Sequence, residues 1–265
     1  MGVDMNAIVG SHDVVFVTLD TLRYDVATEK LSAGRTPTFA RLLGGRTWEM
    51  RHSPGSFTYA AHQAFFAGFL PTPATPGRHA RLFALRFEGS VTTDSSTCVL
   101  DEASLPAGLA ARGYHTACVG GVGFFNEQNP LGRVLPALFD ESHWSPSMGV
   151  TDPASTENQV ACALEILGRV DGPCFLFLNV SALHQPNHFY LPGAGGRDTR
   201  ESHGAALEYV DASLAPLFDA ARRRRPTFFI VCSDHGTAYG EEGYSGHRVG
   251  HPVVWTVPYA DGVLT

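Results

Sequence analysis

The chain has 265 residues, with 19 Lys+Arg against 26 Asp+Glu, a formal charge of −7 and an isoelectric point near 5.9. That balance excludes a nucleic-acid scaffold, and 44% hydrophobic with 17% charged residues excludes disorder as the default, because such a chain can bury a large core. Every apolar run is too short to span a bilayer, and the N-terminus lacks the basic segment, long apolar stretch and cleavage site of a signal peptide. The expectation is a soluble, cytoplasmic protein with no membrane and no nucleic-acid partner. Cys98, Cys118, Cys162, Cys174 and Cys232 are odd in number, lack metal-pair spacing and mostly lie inside apolar runs. They read as buried reduced thiols.

In chain order, Asp13–Leu19 comes first, a β-branched and aromatic run whose two apolar faces predict a buried parallel strand. Residues 54–71 carry a helix that begins at Thr58. A hydroxyl there sits where free amides and the helix dipole favour an anion, although local sequence alone reads Thr58 as a plain N-cap. Pro71–Arg78 is read as a loop. A helix over Ser104–Arg112 stops at Gly113 and leads into a strand over Tyr114–Val119. A second helix, through Val160, Leu164 and Leu167, precedes the strand Cys174–Val180. After the Leu191–Arg200 loop, a third helix runs through Leu207, Val210, Leu214, Leu217 and Phe218 and precedes the strand Thr227–Ser233. The run Arg222–Arg225 closes that helix and is expected to be a solvated end favoured by the helix dipole. Alternating helices and strands predict an α/β fold, a mostly parallel sheet flanked by helices on both faces, in a single domain over 1–265.

In open α/β sheets ligands bind beyond the carboxyl ends of the strands, so the residues that follow each apolar run carry the information. Asp20 follows the first strand. Asp234-His235-Gly236 follows the strand ending at Ser233, and His184-Gln185-Pro186-Asn187-His188 comes shortly after Val180. Two carboxylates brought together repel unless a cation neutralises them or one takes a proton, and added imidazoles point to a divalent metal. Mixed oxygen and nitrogen ligation suits Zn or Mn. Each residue alone is also explained as a turn former or helix cap.

With these motifs in order, the chain resembles the alkaline phosphatase and sulfatase superfamily from about Val14 to about Tyr259. Val-Thr-Leu-Asp20-Thr-Leu-Arg-Tyr-Asp25 is similar to the family's opening strand and metal-binding Asp. Thr58, with His62 four residues on, Gly68 at ten and Pro71 at thirteen, is similar to its nucleophile helix. Gly113-Tyr114-His115-Thr116-Ala117 resembles the middle unit, and His184-Gln185-Pro186 the His-x-Pro of the substrate site. Ser233-Asp234-His235-Gly236, followed by Gly246-His247, resembles the second metal motif and its downstream His. The resemblance implies Thr58, His62 and His184 as catalytic residues. It implies metal ligation by Asp20, Thr58, Asp234, His235 and His247, with His184, His188 and His251 as further candidates. One Zn or Mn ion is expected. A second is left open, because two-metal members carry Asp-x-x-x-His where this chain has His184-x-x-x-His188.

The departures bear on the reaction. Strict sulfatases oxidise a Cys or Ser to formylglycine within Cys/Ser-x-Pro-Ser-Arg, whereas this chain reads Thr58-Tyr59-Ala60-Ala61-His62. Thr cannot form that aldehyde by the same oxidation, so phosphoryl chemistry on a small anionic ester, phosphomonoester or phosphodiester, leads. A sulfatase or phosphonate hydrolase without formylglycine, and a non-catalytic metal-binding partner protein, are the competing readings. Family enzymes add a C-terminal subdomain after the strand represented here by Trp255–Tyr259. The expectation is therefore a fold lacking most of that subdomain, with a shallower pocket or one completed by a partner subunit or a second copy.

Overall fold

The computed structural model describes residues 3–67, 86–88 and 103–265. Gly68, Pro71, Cys98 and the expected Pro71–Arg78 loop lie outside the described residues. The sheet is built from β1 (Asp13–Leu19), β2 (Glu49–His52), β3 (His115–Val119), β4 (Glu141–His143), β5 (Cys174–Val180), β6 (Thr227–Cys232) and, after the short hairpin strands β7 (Ala238–Tyr239) and β8 (Ser245–Gly246), β9 (Thr256–Leu264). Its order is β2-β9-β6-β1-β5-β3-β4. β6, β1, β5, β3 and β4 run parallel, and β9 and β2 close one edge antiparallel. This is the mostly parallel, doubly covered sheet that the sequence predicts.

All seven residues of β1 and of β5 are buried, because helices cover both faces of the sheet. Val15, Val17 and Leu19 pack with Leu176 and Leu178 under the helices Tyr24–Ser32, Pro37–Leu43, Ser155–Arg169 and Arg200–Arg224. On the opposite face Val14, Phe16, Phe175 and Phe177 pack under Tyr59, Ala60 and Phe66 of the helix Thr58–Ala67. The alternation along each strand is that of a two-faced pleated sheet.

The basic helix end is exposed as expected at Arg222 and Arg223 but not at Arg224. Arg224 is ion-paired to the fully buried Asp13 at the start of β1, and it donates to the carbonyl oxygens of Leu167, Val170 and Gly172. Asp13 also accepts from the Cys174 N–H at 2.8 Å. Arg224 therefore ties the entry of β1 to the entry of β5. Cys118, Cys174 and Cys232 are buried and free, and Cys162 is free and half-buried.

Candidate active site

The central strands β1 and β6 deliver Asp20 and Asp234 to the same rim, and both are fully buried. Asp20 follows β1, where its backbone N–H donates to Val180 O at 3.2 Å. Asp234 follows β6 beside Gly236, where an added Cβ would stand 2.0 Å from Val253 O. Only glycine lets the turn pack that closely. One carboxylate oxygen of Asp20, one of Asp234 and one ring nitrogen of His235 lie within 4.8 Å of one another. Thr58 is the first residue of its helix, and its hydroxyl oxygen is 3.3 Å from both Asp20 Oδ2 and His235 Nε2. It faces the carboxylates rather than serving as a plain cap.

Two features suit this cluster to a divalent cation. Asp20 Oδ1 and Asp234 Oδ2 are buried without a hydrogen-bond partner, a state that proteins avoid unless an ion completes it. His235 Nδ1–H donates to Gly236 O at 2.9 Å, which leaves Nε2 as a lone pair aimed at Thr58, the tautomer a ligand needs. In the metal-free protein burial pushes the Asp20 carboxyl up to about 7, and the neighbouring Asp234 pushes the same way. Burial likewise pushes Asp234 up to about 7, while it lowers His235. The donor set of two carboxylates, an imidazole and a hydroxyl fits zinc by chemistry and number.

Two further imidazoles border the cluster. His184 Nδ1 bonds Gln185 O at 2.6 Å, which leaves Nε2 as the acceptor nitrogen, and the positive form of His184 would steady Asp20. The His247 ring centroid is 5.4 Å from that of His184 and 4.7 Å from that of His235. Burial, then His235, His184 and Arg248, drives His247 down to about 2, so it is neutral.

Three expected site residues are placed differently. His62, expected to be catalytic, has both ring nitrogens engaged inside the protein, at 2.7 Å from Thr58 O and 3.0 Å from Thr18 Oγ1. Burial lowers it to about 3. It braces the Thr58 turn and has no nitrogen left for a substrate. His188 pairs with Asp198 at 3.2 Å, because the chain after Asn187 folds back to accept N–H bonds on the Asp198 carboxylate. His251 caps the short helix Pro252–Trp255 through its Nδ1. Neither belongs to the Asp20–Asp234–His235 group, the single such group among the described residues, and the expected ligands His184 and His247 lie outside it as well.

Sequence reasoning missed several supporting residues. Asn179, one polar residue inside the apolar run of β5, donates to Asp20 Oδ2 at 3.3 Å and accepts the Val122 N–H. Thr21 adopts a φ of 64°, a genuine strain for a β-branched residue, and so aims its N–H at Asp234 Oδ1 at 3.1 Å. Ser53 donates to Asp234 O. Arg23 is buried and ion-paired to Asp25 and Glu241, joining the segment after β1 to the segment after β7. The polar interruption in β5 was the one signal in the sequence; a strained φ leaves none.

A parallel sheet with a metal-type cluster beside a threonine at a helix start defines a hydrolase or transferase architecture. The chain belongs to the sulfatase family, whose description matches residues 12–257, and thus to the alkaline phosphatase superfamily. No curated protein sequence matches it. Among solved structures, the soluble domain of lipooligosaccharide phosphoethanolamine transferase A from Neisseria meningitidis is similar with a TM-score of 0.66 and 17% identity, over 96% of this chain and 77% of that one. The C-terminal periplasmic domain of EcEptC from Escherichia coli in complex with Zn gives 0.59 and 15%, over 94% and 72%. A protein in the alkaline phosphatase superfamily from Vibrio parahaemolyticus gives 0.58 and 18%, over 95% of this chain and 60% of that one. At these identities the likeness establishes the fold. Among the described residues no helix is long and apolar enough to cross a membrane.

Proposed function

We propose that the chain is a metal-dependent phosphoryl-transferring enzyme that acts on a small anionic phosphate ester through Thr58. The observation that carries this reading is the Thr58 hydroxyl, 3.3 Å from both Asp20 Oδ2 and His235 Nε2 at the start of a ten-residue helix. Asp20, Asp234, His235 and Thr58 would hold the ion, with zinc favoured over manganese by the donor set and by the zinc complex of a structural neighbour. When bound, the ion lowers the pKa of the hydroxyl and balances charge on the phosphoryl oxygens.

The chain's own groups do the rest. The Thr58 proton has an acceptor in Asp20 Oδ2, 3.3 Å away, while His235 Nε2 would be committed to the ion. Thr58 Oγ1 forms a bond to phosphorus as the ester P–O bond breaks, and the electron pair leaves with the departing oxygen. His184, whose Nδ1 is held by Gln185 O, presents Nε2 to supply that oxygen with a proton once it carries one. It then takes a proton from the water or alcohol that attacks the phosphothreonine. Asn179 and Thr21 keep the two carboxylates oriented through both steps. One structural neighbour is a phosphoethanolamine transferase, and its transfer of a phosphate-bearing group supports phosphoryl over sulfuryl chemistry here. The test is a zinc-supplemented screen of aryl phosphate mono- and diesters, phosphonates and sulfates with wild type and Thr58→Ala. Turnover of a phosphate ester by wild type alone supports the reading; turnover of sulfates only, or of nothing, overturns it.

A further inference from the structure

The turn Gly246-His247-Arg248 ends in a residue with no role in the reading above. Arg248 has a φ of 65°, in the left-handed region where arginine is strained and glycine is not. Its backbone N–H donates to Ser56 O at 2.7 Å, which ties the turn to the segment that leads into the Thr58 helix. Its guanidinium carbon lies 5.8 Å from the centre of the Phe57 ring, within cation–π range, and Phe57 immediately precedes Thr58. The side chain is exposed. The backbone is thus held in an unfavourable conformation that presents a cation beside the nucleophile and one residue from His247.

Charge accounting gives that cation a task. Two carboxylates would cancel one divalent ion, and moving the Thr58 proton to Asp20 leaves the net charge of the site unchanged, so nothing in it balances an arriving anion. Arg23, the buried arginine nearby, is ion-paired to Asp25 and Glu241. An anionic ester entering this rim loses hydration and is left unbalanced unless a further positive charge meets it. A guanidinium suits the task, because its planar fork matches two oxygens of a phosphoryl group.

We propose that Arg248 binds the phosphoryl oxygens that face away from the carboxylates and thereby favours a dianionic phosphoryl group over a monoanionic one. The proposal rests on the phosphoryl-transfer reading of the same site. The experiment is isothermal titration calorimetry on the full zinc-loaded chain at about pH 8, where phosphate is a dianion. The probes are inorganic phosphate and the monoanion dimethyl phosphate, titrated into wild type, Arg248→Ala, Arg248→Lys and Arg248→Gly.

Arg248→Ala and Arg248→Gly should weaken phosphate binding about 10- to 100-fold, the effect of removing a charged hydrogen-bond partner, and weaken dimethyl phosphate by less. Arg248→Lys should recover part of the loss. Zinc affinity should be unchanged throughout. Arg248→Gly should melt at or above the wild-type temperature, since glycine relieves the strained backbone, so lost binding in that variant is not lost folding. Wild-type phosphate affinity in Arg248→Ala or Arg248→Gly overturns the proposal, as does an equal loss for both anions or a loss of zinc affinity alongside phosphate. If zinc-loaded wild type binds neither anion, the phosphoryl-transfer reading itself falls, and Arg248's role with it.

Discussion

Asp234→Asn separates the strain that two buried carboxylates place on the metal-free protein from the metal affinity proposed for them. Both carboxyls are fully buried and are pushed from 3.8 up to about 7. At about 1.4 kcal/mol per pKa unit, a rise of about three units is worth about 4 kcal/mol for one group. The pair is worth less than twice that, because the first proton bound removes the repulsion that raises the second. The sign follows from the raised folded-state value: the folded metal-free protein keeps a proton that the unfolded chain has already released. Stability is therefore fully present below about pH 4 and is lost as the pH rises through about 7. Asn keeps the shape and the acceptor for the Thr21 N–H but carries no charge. After chelation, Asp234→Asn should exceed wild type by about 4 kcal/mol at about pH 8, on the order of 10 °C in melting temperature for a chain of this size, and by about half that or less at about pH 5. Added zinc should raise the melting temperature of wild type and not of Asp234→Asn. The assay is thermal denaturation of chelated and zinc-loaded protein across that pH range. A flat stability profile for chelated wild type, or a less stable Asn variant at the alkaline end, would mean that the two carboxylates place no such strain on the fold.

Two further outcomes are expected. His184→Gln should retain stoichiometric zinc by metal analysis while turnover of an aryl phosphate falls about 100-fold or more, the usual contribution of a proton-transferring side chain; loss of zinc would instead make His184 a ligand. Arg224→Ala should destabilise the protein by about 3 kcal/mol in urea titration, since it strands the fully buried Asp13 carboxylate, with Arg225 at 4.0 Å as the one nearby cation left; an unchanged midpoint would mean that the helix end is merely solvated.

Much of the fold was legible because both faces of the sheet are covered. β1 and β5 are continuous apolar runs, and their ends fall where composition changes. β2 was not legible: all four of its residues are exposed, and an edge strand with no buried face leaves no hydrophobic period to read. The convergence of Asp20, Asp234, His235 and Thr58 could be read from residue type at strand ends and helix start, because those positions face one rim in any sheet of this class. Asn179 showed only as a polar break in an apolar run, since its role depends on the register that sets it beside Thr18. Thr21 and Arg248 depend on left-handed backbone that neither residue type announces. His188 and His251 share the residue type of ligands, and the chain path alone turned one toward Asp198 and the other into a helix cap. Arg224 looked like its neighbours in a charge run until the helix end met the buried start of β1.

Rapid acid quench of zinc-loaded protein turning over an aryl phosphate, followed by intact-mass and peptide mapping, tests most directly whether phosphoryl groups pass through Thr58. One phosphoryl adduct is expected on the peptide that contains Thr58, accumulating further in His184→Gln, and none in an inactive Thr58→Ala. Near-wild-type turnover by Thr58→Ala, or steady turnover by wild type with no adduct in either protein, would contradict it.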